Sequence, residues 1–124
     1  MEWLIDGYNV LISNGRGHSE AARDRFGRSI RAFFQGGPDR VRIVYDSRGR
    51  LGVQKKALTP RISEIYTGNA DRYLIRQVEE SHHPRSLTLV TDDREIVFAL
   101  RSIKVERKST AQFLTMISRP APDH

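Results

Sequence analysis

Apolar positions along the chain alternate between short dense runs and longer stripes with the period of a helix. Trp3 to Ile5 form a first dense run, a short buried strand cut off by Asp6-Gly7. After a loop at 15–19, Ala22, Phe26, Ile30, Phe33 and Phe34 recur at steps of four, four, three and one, which predicts a helix over 19–35. Gly36-Gly37-Pro38 ends it, because proline cannot continue a helix. Val41, Ile43, Val44 and Tyr45 read as a second strand, ended by Asp46. The stretch 47–61 holds Arg48, Arg50, Lys55, Lys56 and Arg61 without one acid, and reads as an exposed, mobile loop before a short strand at 62–67. Gly68-Asn69 then introduces a helix over 70–81 with Leu74, Ile75 and Val78 inward. A strand at 87–91, a helix at 93–100, a short strand at 103–105 and a helix at 109–118 complete the pattern. Residues 119–124, with two prolines, read as a flexible tail behind a single domain over 1–118.

Strands alternating with helices predict an α/β layer fold around a mostly parallel sheet. Crossovers in such a sheet are right-handed, so the strands deliver their C-termini to one edge, where ligands bind. The carboxylates fall there. Asp6 follows the first strand, Asp46 the second, and Asp92 and Asp93 the strand at 87–91. Asp71 begins the inward stripe of its own helix, with Leu74 three and Val78 seven residues on. An Asp at a strand-to-helix junction is also a common N-cap, and Asp71 can serve the helix dipole from the first turn. Each acid alone therefore has a structural use, and Asp6-Gly7 can be a tight turn. Several on one edge, with no Lys or Arg in the strand ends, need a counter-charge, since mutual repulsion raises their pKa values. A divalent cation supplies it, and an all-oxygen site favours Mg²⁺ or Mn²⁺ over zinc or copper. Adjacent Asp92 and Asp93 point differently, so one of the two at most is a direct ligand. Thr91 can cap the next helix or bond to the site.

Length and charge narrow the partner. A chain of 124 residues fits one domain that buries its own core. It has no cysteine, which excludes disulfides, thiolate metal sites and a thiol nucleophile. Twenty-one basic against 15 acidic residues leave a net charge of +6, which favours a polyanion, nucleic acid ahead of a membrane or an acidic protein. Many small soluble proteins are basic without such a partner, so charge sets only a direction. No apolar run reaches the length of a membrane span, and Met1-Glu2-Trp3-Leu4-Ile5 meets Asp6 too soon for a leader. A soluble, cytoplasmic protein is expected.

Asp6-Gly7-Tyr8-Asn9, Val44-Tyr45-Asp46, Asn69-Ala70-Asp71, Thr91-Asp92-Asp93 and Arg107-Lys108-Ser109, in that order, resemble the NYN branch of the PIN-like nucleases, and within it the YacP-like group. The resemblance covers nearly the whole chain. It implies a three-layer α/β/α PIN-like fold and metal-dependent endoribonuclease activity, with RNA as partner, including mRNA on the ribosome, and 5′-phosphate products. Asp6, Asp46 and Asp71 fall on the family's acidic metal positions, and the last of the strand-end acids, Asp93, on its fourth. Asp92 stands where the family has a small polar residue and adds negative charge to the metal set. Asn9 falls on the motif asparagine, to orient a carboxylate or hold a phosphate oxygen; a turn-stabilising role is its alternative.

In this reading the cation polarises a scissile phosphate and activates water for in-line attack. The acid-free segment beyond Asp46 brings Arg48, Arg50, Lys55 and Lys56 to the RNA backbone, or is a solvated loop. Arg16 offers a further phosphate contact, and Tyr8 a surface for base stacking. Two other classes compete. One is a catalytically inactive RNA- or ribosome-binding module of the same fold, against which four clustered acids argue. The other is a Mg²⁺-binding phosphoacceptor, which the position of Asp71 inside a helix fits poorly.

Overall fold

A computed structural model describes residues 1–118. Six strands, β1 (Glu2–Asp6), β2 (Arg40–Asp46), β3 (Val53–Thr59), β4 (Ile62–Thr67), β5 (Leu87–Val90) and β6 (Glu106–Lys108), form one sheet in the order β3-β4-β2-β1-β5-β6. All neighbouring pairs are parallel except β3 with β4. Five helices cover it: α1 (Gly7–Ser13), α2 (Glu20–Phe34), α3 (Ala70–Glu79), α4 (Arg94–Ala99) and α5 (Thr110–Ser118).

Side-chain alternation along the strands sorts the molecule into three layers. Trp3, Ile5, Val41, Ile43 and Tyr45 meet Val10, Leu11, Phe26, Ile30 and Phe113, so α1, α2 and α5 cover one face. Leu4, Val44, Ile65 and Leu89 meet Leu74, Val78, Ile96 and Leu100, so α3 and α4 cover the other. Central strands buried on both faces carry unbroken apolar runs, which is why β1, β2 and β5 stand out in the sequence. The same alternation aims the polar ends. Asp6 and Asp46 share parity with Leu4 and Val44 and face α3 and α4. Glu64 shares parity with Ile62 and faces α2. The α/β/α architecture and mostly parallel sheet match the expected fold.

Three local expectations are corrected. Asp6-Gly7 is not a tight turn, because α1 starts directly from the end of β1. The segment 47–61 is not one mobile loop; its second half is β3, an edge strand exposed from Val53 to Ala57 and held by backbone pairing with β4. With no buried alternation it leaves no apolar signature, and its lysines protect an open sheet edge. The last strand is Glu106–Lys108 rather than 103–105. Ile103 and Val105 pack on the core from the preceding loop, while the charged residues pair with β5. The expected tail at 119–124 lies outside the described residues.

Candidate active site

The sheet order places β1 between β2 and β5, and the helices that follow β1 and β5 lie on opposite faces. A crevice opens at such a switch point beyond the strand C-termini. Asp6 lies in it, 8% exposed, and accepts a hydrogen bond from the Thr91 hydroxyl at 3.0 Å. Asp6 occupies the N-cap position of α1 without a well-formed side-chain capping bond; the Asn9 N–H lowers its pKa less than any other neighbour acts on it, so capping is the least of its interactions. Thr91 also accepts from the Asp93 backbone N–H at 3.0 Å, which ties the ends of β1 and β5 together.

Asp71 is not a cap. Asn69 caps α3, its side chain accepting from the Arg72 N–H at 3.0 Å. That leaves the half-buried Asp71 carboxylate facing Asp93 and Asp46. Asp46, at the exposed end of β2, receives the Ala70 N–H at 3.5 Å and so sits at the N-terminus of α3. Asp93 caps α4 with one oxygen, accepting from the Glu95 N–H at 2.8 Å. Of the two acids expected as caps, Asp71 is thus released and Asp93 is partly engaged.

Repulsion and burial dominate the electrostatics. Burial pushes the Asp6 carboxyl up to about 6; the Thr91 bond offsets part of this, and the Asp71 and Asp93 charges add to it. Asp71 is also raised, by burial first and then by the charges of Asp93 and Asp46. Glu95 adds a further negative charge beside Asp71. Its signal in the sequence is its place two residues after Asp93. Among the described residues, no Lys or Arg pairs with Asp6, Asp46, Asp71 or Asp93. An oxygen-only, uncompensated donor set suits a hard divalent cation. Among the described residues, however, no three His, Asp or Glu side chains converge tightly enough to hold a metal ion by themselves.

Asp92, expected as a metal ligand, is turned away from this set. Its oxygens accept from the Thr110 N–H at 2.9 Å and the Thr110 hydroxyl at 2.5 Å, so it anchors the first turn of α5, which Ser109 caps by accepting from the Gln112 N–H at 3.0 Å. The adjacent peptide is fixed by Asn9, whose side-chain oxygen accepts from the Asp92 N–H at 2.7 Å. Asn9 therefore positions the strand-end loop. Tyr8 is half-buried between the rings of His18 and Tyr45, both at 4.9 Å, and its hydroxyl accepts from Arg23 at 3.0 Å.

The expected basic residues divide. Arg48 and Arg50 lie exposed on the loop after Asp46, and the Arg50 carbonyl would sit 2.4 Å from a Cβ at Gly68. That close approach holds the loop against the chain entering α3, beside Asp71. Lys55 and Lys56 are neighbours in β3 and point to opposite faces. Lys56 reaches buried Glu64 at 4.0 Å. Arg16 lines a separate cleft with Asn14, Phe26 and Leu114, away from the carboxylates.

Comparison with known proteins agrees with this architecture. The crystal structure of Rae1 (YacP) from Bacillus subtilis superposes with a TM-score of 0.70 at 23% identity, over 94% of this chain and 73% of that one. A mutant of the same protein gives 0.67 at 22% identity, over 94% and 74%. No curated protein matches the chain in sequence. The family model described as the YacP-like NYN domain matches residues 3–123, and the chain belongs to that family.

Proposed function

We propose that the chain is a metal-dependent endoribonuclease that hydrolyses RNA phosphodiester bonds at the edge formed by Asp6, Asp46, Asp71 and Asp93. The observation that carries this reading is the buried Asp6 beside Asp71 and Asp93, with no cationic side chain among the described residues to balance them. Mg²⁺ is commonly held by one or two carboxylates, waters and substrate phosphates, so a closed cage of protein ligands is not required. When bound, Mg²⁺ or Mn²⁺ would neutralise the scissile phosphate and acidify the attacking water. Asp71 and Asp93 are the facing pair that would hold it, with Asp46 and Asp6 beside them. Thr91 fixes Asp6, and Asn9 fixes the peptide that carries Asp93. Arg48 and Arg50 stand on the Asp46 side, where they would take phosphates flanking the cut. Basic composition and family membership support RNA as the substrate, including mRNA on the ribosome.

The test is cleavage of matched single-stranded RNA and DNA with Mg²⁺, Mn²⁺ or EDTA, with Asp46→Asn as the contamination control. RNA cut in the presence of either ion, spared in EDTA and spared by the variant supports the reading. Equal cutting by Asp46→Asn overturns the site. A second reading, to which the lack of a closed three-ligand group among the described residues is equally suited, is an inactive RNA-binding module, which would bind RNA in a salt-sensitive way and cut none.

Asp92 separates structural from catalytic acids. Asp92→Ala removes two hydrogen bonds to Thr110 at the start of α5, leaves the Ser109 cap in place, and is expected to cost about 1–3 kcal/mol in thermal or urea unfolding. It is expected to keep cation-dependent cleavage under conditions where it is folded. Loss of cation dependence in a folded Asp92→Ala would return Asp92 to the metal set.

A further inference from the structure

Two clefts on the α2 side of the sheet share Arg28 and Arg31. One, of about 300 Å³, lies between α2 and β3 and includes Arg23, Asp24, Lys56 and Glu64 in its walls. The other, of about 880 Å³, continues past the end of α2, between Phe34, Pro38, Pro60 and Arg61. Because they share two arginines one turn apart on α2, they form one groove from the middle of the helix to the far edge of the sheet. Its near end meets α1, where Arg23 donates to the hydroxyl of Tyr8, two residues along the chain from Asp6, whose carboxylate faces the other side of the sheet. From Arg23 to Arg31 the helix rises ~12 Å.

Two of the groove's acids are already engaged. Buried Glu64 has Lys56 at 4.0 Å and accepts from the Tyr66 hydroxyl at 3.3 Å. Asp39 accepts from the Trp3 indole at 3.2 Å and pairs with the N-terminal ammonium at 3.5 Å. Among the described residues no carboxylate pairs with Arg28, Arg31 or Arg61. Arg28, Arg31 and Arg61 are exposed, and Arg61 uses one N–H on the Pro38 carbonyl. Asp24, exposed one turn before Arg28, offsets part of the charge at the near end, and the guanidiniums of Arg31 and Arg61 beyond it suit a chain of phosphates, since each presents a fork of donors. Phe34, Pro38 and Pro60 give the far end of the groove apolar walls of a kind a base can lie against.

We propose that single-stranded RNA leaving the carboxylate edge runs along this groove, with successive phosphates on Arg28, Arg31 and Arg61. The inference rests on the nuclease reading and adds the path of the strand to it. The forked guanidiniums match phosphate geometry, and Arg23 ties the groove to α1, the helix that follows Asp6; both favour RNA over an acidic polypeptide. Contacts to phosphate fix position and carry no base preference, so the groove measures length rather than sequence.

The test measures binding in EDTA of single-stranded oligouridylates from about 4 to about 16 nucleotides, a span typical of single-strand grooves, at several salt concentrations. For the unsubstituted chain, affinity is expected to rise with length until the strand fills the groove. R28A/R31A is expected to lose about tenfold on the longer strands, with a log–log salt slope smaller by about 1.4, two contacts at about 0.7 each. The charge-matched R101A/K104A, at the opposite edge, is expected to keep the length dependence. Both pairs of residues are exposed, so melting curves should stay close to that of the unsubstituted chain. Equal affinity and slope in R28A/R31A overturns the groove, as does an equal loss in R101A/K104A, which would reduce the effect to net charge. Polyglutamate that displaces RNA of the same charge on equal terms overturns RNA as the occupant. An unsubstituted chain that binds no RNA at any length overturns the nuclease reading itself. One that binds and cuts RNA while R28A/R31A is indistinguishable from it overturns only the groove.

Discussion

Asp6→Asn is expected to melt later than the unsubstituted chain at neutral pH while losing roughly 10²–10³-fold in RNA cleavage. Both effects come from one buried carboxylate. In the metal-free fold its pKa rises from an ordinary 3.8 to about 6, chiefly through burial, which corresponds to about 3 kcal/mol of penalty on the charged form. The folded chain holds this proton more tightly than the unfolded one. The stability that Asp6 contributes is therefore fully present below pH 3.8 and is lost as pH rises through about 6. A neutral amide of the same shape escapes that loss and can still accept the Thr91 hydroxyl bond. Part of the penalty remains with the buried amide, so the expected gain is about 1–2 kcal/mol, or roughly 5–10 °C in Tm. Unfolding measured in EDTA from pH 4 to pH 8 checks it: the variant's advantage should grow with pH and vanish near pH 4. Added Mg²⁺ or Mn²⁺ should stabilise the unsubstituted chain and narrow the gap, because a ligand bound only by the folded state raises its stability. An equally stable variant across that range would mean that Asp6 is not under electrostatic strain. Full cleavage by it would remove Asp6 from the site.

The trade between stability and charge explains why the site was largely legible as a pattern and illegible in its details. Burial on both faces gives β1, β2 and β5 dense apolar runs, so their ends, and the acids at those ends, are fixed by the same signal that makes them strands. Asp6, Asp46 and the Asp92-Asp93 pair are legible together for that reason, whereas Asp71 is read from the stripe of its helix and Asp93 is set above Asp92 by the family resemblance alone. The direction of each carboxylate is a different matter. Asp92 and Asp93 are one residue apart and chemically identical, and what separates them is Thr110, which lies 18 positions away and takes both oxygens of Asp92. Nothing local in the sequence encodes that capture. Asn69 likewise takes over capping of α3 and leaves Asp71 free, a choice visible once helix α3 has a defined first residue.

Short α1 escapes the pattern although it buries Val10 and Leu11, because seven residues show too little of a period; β3 and β6 escape it because they lack a buried face. β3 is held by main-chain bonds to β4, and β6 by main-chain bonds to β5, so their side chains carry charge rather than periodicity. The consequence reaches the substrate surface. A basic segment taken as one loop is half loop and half strand, and the strand separates Lys55 from Lys56 by a full sheet face. The groove along α2 is equally hidden: nothing in the spacing of Arg28 and Arg31 shows it until β3 is laid beside them.

Gly7→Ala is the substitution expected to damage the fold most for the fewest atoms added. α1 follows β1 without a linker, so its first turn is pressed onto the sheet, and Gly7 is buried there. A Cβ at Gly7 would meet Tyr45 at 2.4 Å from Cε1 and 2.6 Å from Cδ1, inside any real contact distance. The Tyr45 ring has no exposed surface and is flanked by Tyr8 at 4.9 Å and Tyr66 at 5.6 Å, so it cannot swing away. Overpacking of a filled core costs typically about 1–3 kcal/mol, and a clash against a confined ring belongs at the upper end of that range. Tyr45→Leu, which removes ring atoms from the contact, should be destabilising alone but should recover much of the loss when combined with Gly7→Ala. That double-mutant cycle keeps the test decisive even where Gly7→Ala unfolds at working temperature. Additive losses would show that Gly7 is needed for some reason other than Tyr45. The effect should also reach the chemistry, because Asp6 is bonded directly to Gly7. Any shift of α1 away from Tyr45 turns the Asp6 carboxylate away from Thr91 and Asp71, so a folded Gly7→Ala chain at low temperature should cleave less than its folded fraction allows. A glycine that resembles turn punctuation in the sequence therefore acts as the spacer that lets a helix begin where the first carboxylate must stand.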